Sequence, residues 1–229
     1  MMTSSTRKMN NLIIYKTPSW LTAFTTGRDC GVEALGLRLE ELALPRQVHS
    51  DHVCWMKEAG RPEETDAVIT AQPGLCVCVK TADCIPVLLY DSRQRIVAAV
   101  HAGWRGTVAR IVQKTVRQMM PLVPGDLHAI IGPGISLEWF EVGDEVYEAF
   151  RAADFPMERI ARRFPRKTGD GEAWHIDLWD ANRWLLEEMG VEDIYIEGTC
   201  TRTSMDFYSA RRETINTGRN YNGIYINPE

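Results

Sequence analysis

A chain of 229 residues with 45% hydrophobic and 25% charged residues is composed like a folded globular protein. That composition excludes a largely disordered chain and allows a full core without disulfides. A net charge of −5 argues against a general nucleic-acid binder, and no run of about 18 apolar residues is present to span a membrane.

Met1 to Asn11 is polar and lacks the apolar core of an export signal. Residues 1–11 are therefore expected to be a flexible tail, residues 12–229 a single domain, and the protein cytoplasmic. Leu12–Tyr15 and Trp20–Thr25 are rich in β-branched and aromatic residues and predict strands. Val32–Leu44 carries Leu35, Leu39 and Leu42 at helical spacing, which predicts a short helix ended by Pro45. A strand is expected over Gln47–Lys57. Four short apolar runs follow, Ala67–Thr70, Leu75–Lys80, Ile85–Asp91 and Arg95–His101, separated by turn residues. Thr107–Met120 predicts a helix, Leu127–Ile131 a buried strand and Gly143–Ala152 a second helix. The polar, basic stretch Ala161–Ala173 is expected to be an exposed loop. Trp174–Asp177 predicts a strand. Asp177 is placed as the N-cap and Gly190 as the C-cap of a helix ending near Met189. Val191–Glu197 and part of Phe207–Ile226 complete the strands. This mixture is α/β or α+β, with no internal repeat.

The six cysteines are scattered, so free thiols are expected. Cys76 and Cys78 alternate with valines like small apolar residues on one strand face. Arg159, Arg162, Arg163, Arg166 and Lys167 suit a solvated face. His52, His128 and His175 lack supporting neighbours and are assigned to packing or surface.

His49, Cys84 and His101 differ from these, because each falls at a strand end or in a short turn, where a rigid sheet displays functional groups. Two imidazoles and one thiolate form a zinc set that leaves a fourth position open for water. The same groups can also merely pack or cap, and separation in sequence does not decide between the two. After His101, the turn Ala102-Gly103-Trp104-Arg105-Gly106 leads to an expected helix start at Thr107. Its free amides, with the Arg105 guanidinium, would suit an anion. Phe207 to Arg212 and Thr217-Gly218-Arg219 combine aromatic and arginine side chains suited to a base and a ribose or phosphate, or to surface ion pairs. Ile131-Gly132-Pro133-Gly134-Ile135 is expected to be a structural turn.

Gln47-Val48-His49, Thr81-Ala82-Asp83-Cys84, His101 to Gly106, Ile131 to Ile135, and Phe207-Tyr208-Ser209 with Thr217-Gly218-Arg219 together resemble the YfiH family, also called the laccase-domain or multicopper polyphenol oxidoreductase family. The resemblance runs in order from about residue 46 to 226. It implies one catalytic domain with a four-layer α/β/β/α sandwich, similar to that of a deamidating toxin, and a monomer or weak homo-oligomer. It implies zinc, with copper as the other metal, on His49, Cys84 and His101. It implies purine nucleosides and phosphate as partners: phosphorolysis of adenosine, inosine, guanosine and methylthioadenosine, with adenosine deaminase activity. Arg46, Gln47 and Arg211 match positions that line the family's pocket. Arg105 is the candidate phosphate ligand, unless its segment is an ordinary glycine-rich turn, and Asp83 is either the proton shuttle or a turn cap. The family's N-terminal block is shortened here to Phe24–Leu44. A non-catalytic binding protein, with its fourth zinc position filled, is one rival to this reading, and two others are enzymes. One is a cysteine hydrolase that uses Cys84 and His101, such as a cell-wall precursor editing enzyme. The other is a copper-dependent polyphenol oxidase, which five histidines supply poorly.

Overall fold

The computed structural model describes residues 7–9, 11–119 and 127–228. In chain order the strands are β1 (Arg7–Met9), β2 (Leu12–Ile14), β3 (Leu21–Thr26), β4 (Leu42–Ala43), β5 (Val53–Trp55), β6 (Ala67–Thr70), β7 (Cys76–Thr81), β8 (Ile85–Asp91), β9 (Ile96–Ala102), β10 (Leu127–Ile131), β11 (Glu141–Val142), β12 (Ala161–Pro165), β13 (Glu172–Ile176), β14 (Asp193–Ile196) and β15 (Asn220–Ile226). The helices are α1 (Trp104–Val108), α2 (Ile111–Met119), α3 (Asp144–Ala152), α4 (Met157–Ile160) and α5 (Leu178–Glu187). The fold class is mixed α+β, as expected.

Two six-stranded sheets carry the fold, in the orders β1-β2-β3-β15-β7-β4 and β14-β10-β8-β9-β6-β5. Alternation along the strands builds a core on each side of them. In β8, Leu88 and Tyr90 face the other sheet, where they meet Val77, Val79 and Ile224. Val87 and Leu89 face the opposite way, onto Val112 and Val116 of α2 and Leu185 of α5. A strand buried on both faces must be apolar throughout, which is why residues 85–90 and 129–131 are continuous apolar runs in the sequence. Cys76 and Cys78 lie buried on the outer face of the first sheet, against Val32 and Leu42.

That outer face departs from the expected helix over Val32–Leu44. Two 3₁₀ turns cover it, Val32–Leu35 and Leu39–Glu41. Gly36, left-handed at φ 71°, stops the first turn, and Leu42 leaves to pair with Cys76 as a parallel strand. Strand pairing thus takes up the leucines that looked helical, and among the described residues the fourth layer is 3₁₀ and extended chain.

Four other expectations are corrected. Arg7–Met9 is no tail but pairs antiparallel with Leu12–Ile14; residues 1–6 and 10 lie outside the described residues. Only Val53–Trp55 of Gln47–Lys57 is strand. The helix expected from Thr107 starts at Trp104, breaks at Arg110 (φ 63°) and resumes at Ile111, and Met120 lies outside the described residues. The stretch Ala161–Ala173 is largely a hairpin, with β12 antiparallel to β13 and Arg163 paired to Glu172 across it at 3.2 Å. Asp177 caps α5 as expected, accepting from the Asp180 amide at 3.0 Å, and Gly190 follows at φ 75°. No helix among the described residues is long and apolar enough to cross a membrane.

Candidate metal centre and active site

Sheet register brings the site together. β8 and β9 form an antiparallel pair with Ile85 opposite Ala102, so Cys84 and Gly103 meet at its open end, next to His101. β6 pairs with β9 on the other side with Ala67 opposite Val100, so Asp66 lies beside His101. The His101 amide donates to the Asp66 carbonyl at 2.8 Å.

His49 arrives on a loop that Asp66 organises. Its backbone is left-handed (φ 62°), which aims the amides of Val48, His49 and Ser50 at the Asp66 carboxylate at 3.1, 3.1 and 2.7 Å. The Ser50 hydroxyl adds a bond of 2.7 Å. Asp66 also accepts from His101 Nδ1 at 2.7 Å, and its side chain is fully buried. One carboxylate therefore fixes the backbone of the first histidine and the ring of the second. With Nδ1–H given to Asp66, the His101 Nε2 lone pair is free for a metal. These amide bonds also explain why residues 47–52 leave the sheet.

The donor atoms of His49, Cys84 and His101 lie within 4.8 Å of one another, and no other group of three or more such residues occurs among the described residues. Cys84 Sγ is 3.7 Å from His49 Nε2. Zinc bonded to nitrogen and sulfur at about 2.0–2.3 Å would hold them roughly 3.5 Å apart, so the spacing fits. Backbone at Gly103 closes the cradle: a Cβ there would stand 2.8 Å from His49 Cδ2 and 3.1 Å from Cys84 Sγ.

The charges are coupled. Burial pushes the Cys84 thiol up, but the His101 charge and hydrogen bond outweigh it and bring it down to about 6. Burial opposes charge on His101, yet the Cys84 thiolate and Asp66 raise it to about 9. Burial would likewise raise the Asp66 carboxyl, but its bonds from His101 and Ser50 bring it down to about 2.

The trio opens into a cavity of about 600 Å³ also lined by Gln47, Lys80, Asp83, Arg211, Ile215 and Arg219. Of the residues expected from sequence, Gln47 is fixed by bonds of 2.8 Å to both backbone groups of Lys80. Asp83, at φ 95°, accepts from the Thr201 hydroxyl and the Arg211 amide at 2.6 Å each. Its carboxylate thus ties the turn before Cys84 to the 199–212 segment. Arg211 lines the cavity while donating to the carbonyls of Trp139 and Glu141. Arg46 and Arg105 are not among the lining residues: Arg46 pairs with Glu63 at 3.2 Å, and Arg105 stacks on Trp104 at 4.5 Å. The Thr107 amide already donates to Gly103 at 2.8 Å, so no anion-binding helix start forms at that residue. Asp66, Lys80 and Ile215 were not legible from sequence. For Asp66 the one trace is its place ahead of an apolar run, 16 to 18 residues after the 48–50 loop and 35 before His101.

A sequence model of the multi-copper polyphenol oxidoreductase laccases matches residues 23–227. The chain belongs to this family of enzymes. Among the family's named members, a purine nucleoside phosphorylase of Bacteroides thetaiotaomicron is 44% identical over 203 residues, 82% of this chain and 74% of that protein. "Adenosine deaminase RL5", from an unknown prokaryotic organism, is 42% identical over 83% of this chain and 77% of that one. The crystal structure of Bacillus licheniformis YfiH shares the fold with a TM-score of 0.86 at 22% identity, covering 98% of this chain and 100% of that one. A Neisseria meningitidis protein of the DUF152 family superimposes with a TM-score of 0.81 at 28% identity, over 95% and 100% of the two chains. The family name speaks of several coppers, whereas this laccase-family chain has five histidines and, among the described residues, one His-Cys-His cluster.

Proposed function

We propose that this enzyme is a zinc-dependent purine nucleoside phosphorylase that also deaminates adenosine. The observation that carries the reading is the His49-Cys84-His101 cluster, held by one buried carboxylate at the wall of a cavity of nucleoside size. The identities to a phosphorylase and to an adenosine deaminase support the substrate class. When bound, zinc supplies Lewis-acid polarisation and lowers the pKa of water to about 7. His49, Cys84 and His101 hold it. Asp66 sets the His101 tautomer and the loop of His49. The apolar side chains of Ala82, Ala210 and Ile215 give a purine ring a surface to lie on, and Gln47 and Arg211 contact substrate. Asp83 acts as a tether beneath Cys84, and Arg46 and Arg105 stand outside the reaction.

Zinc-loaded protein incubated with adenosine, with and without phosphate, tests this by mass spectrometry against His101→Ala. Adenine and ribose-1-phosphate appearing only with phosphate establish phosphorolysis, and inosine in either buffer establishes deamination. Wild type matching the variant, with no product, refutes the nucleoside reading.

A second reading has its own observation. Cys84, brought down to about 6 beside a His101 that Asp66 orients, has the makings of a cysteine nucleophile with its base. An enzyme of that kind keeps its activity in a strong chelator, whereas a zinc enzyme loses it and regains it with zinc.

A further inference from the structure

On the assumption of phosphorolysis, Arg105 leaves a gap: the expected phosphate ligand is turned away on Trp104. The cavity offers another. Lys80, at the end of β7, and Arg219, before β15, both line it. Arg61 lies near enough for its charge to act on Lys80. None of the three has a carboxylate partner among the described residues. The Arg219 guanidinium is held by carbonyls of its own loop, those of Ile215, Thr217 and Gly218, which fix its direction without cancelling its charge. Asp83, the one carboxylate among the lining residues, spends its two oxygens on Thr201 and the Arg211 amide.

We propose that Lys80 and Arg219 form the binding site for the tetrahedral oxyanion co-substrate, inorganic phosphate, on the cavity shared with the His49-Cys84-His101 cluster. Two unpaired cations on one cavity, with the charge of Arg61 also acting on Lys80, repel each other and are relieved by a dianion. Lys80 shows that tension: burial, then Arg61 and Arg219, hold its ammonium below the usual lysine range. From this site a phosphate oxygen bonds to ribose C1′ while the C1′–N9 bond breaks. The bonding pair leaves with the base, which takes up the proton that the hydrogen phosphate dianion gives up. The products are the free base and ribose-1-phosphate.

The test titrates inorganic phosphate into zinc-loaded protein by calorimetry, and measures the phosphate and inosine dependence of turnover. Lys80→Met should weaken phosphate binding and raise KM for phosphate by about 10- to 100-fold, while KM for inosine moves far less. Arg61→Gln should do the same to a smaller degree, and Lys57→Met, an exposed lysine outside the cavity, should do neither. Phosphorolysis with an unchanged phosphate KM in Lys80→Met and Arg61→Gln overturns the site and leaves the nucleoside reading standing. Phosphate binding that depends on Lys80, in an enzyme that turns over no nucleoside, keeps the site and removes that reading. Adenosine 5′-monophosphate provides the remaining arm. If it outbinds adenosine by the factor lost in Lys80→Met, the cations read a phosphate ester on the substrate itself, and the co-substrate assignment fails.

Discussion

Two cavities stand at opposite ends of β8, and each contains a histidine bound to an aspartate. Beyond Tyr90 lies the larger, about 690 Å³, lined by Lys16, Tyr90, His128, Asp193 and Tyr195. There His128 Nδ1 meets Asp193 at 2.6 Å and stacks on Tyr90. At the Cys84 end His101 meets Asp66 at 2.7 Å. The contact distance hardly differs, but the surroundings do. Asp193 sits on edge strand β14 with its side chain 70% exposed, so water screens the pair. The Asp66 side chain is fully buried, accepts four further bonds and stands beside a thiol and a second imidazole. Neither cavity volume nor a His–Asp contact sets the candidate site apart. The mark is a desolvated carboxylate that several groups depend on.

That contrast can be broken by substitution. Removing a ligand, as in Cys84→Ala, should abolish stoichiometric zinc and reduce turnover to background, read by metal analysis and product formation. Asp66→Asn should cost about 10- to 100-fold in zinc affinity by chelator competition. It should also cost about 3–5 kcal/mol of stability in urea, since it leaves a buried network short of its acceptor. Asp66→Asn folding and binding zinc like wild type would refute the role given to that carboxylate. Gly103→Ala should misplace His49 and Cys84 and lower turnover by about 100-fold. Its φ of −69° suits alanine, so the stability cost should be confined to the clash with His49 and Cys84, about 1–3 kcal/mol.

The thiol supplies a pH signature. A cysteine brought down to about 6 is thiolate above that pH. Alkylation of Cys84 in metal-stripped protein should therefore climb between pH 5 and 7 and level off, where an ordinary thiol near pH 8.5 would still be climbing, as mass spectrometry can follow. Asp66, depressed to about 2, contributes stability above the ordinary carboxylate pKa and loses it as pH falls toward its folded value, so acid unfolding should steepen below about pH 4. The smallest effect belongs to the other cavity. Asp193→Asn should change stability by less than about 1 kcal/mol and leave zinc affinity untouched.

Much of this protein was determined by local sequence. Ile85–Asp91 and Leu127–Ile131 have the bounds their mainly apolar runs announced, because strands buried largely on both faces leave little polar ambiguity. Asp177 capped α5 because a cap needs only its own next turn. His49, Cys84 and His101 stood out because turns at sheet ends display side chains. Where competing partners lay far along the chain, local reading failed. The leucines of Val32–Leu44 had helical spacing, but Leu42 was claimed by Cys76. Residues 48–50 looked like a strand, but their amides were claimed by Asp66. Asp66 and Lys80 carried no signal in their neighbours. An aspartate becomes an orienting carboxylate, and a lysine an unpaired cation on a cavity, only when sheet register has removed water from the one and acids from the other. Register is set by pairing across the whole fold, so it was the tertiary structure that decided which carboxylate orients the His49-Cys84-His101 cluster.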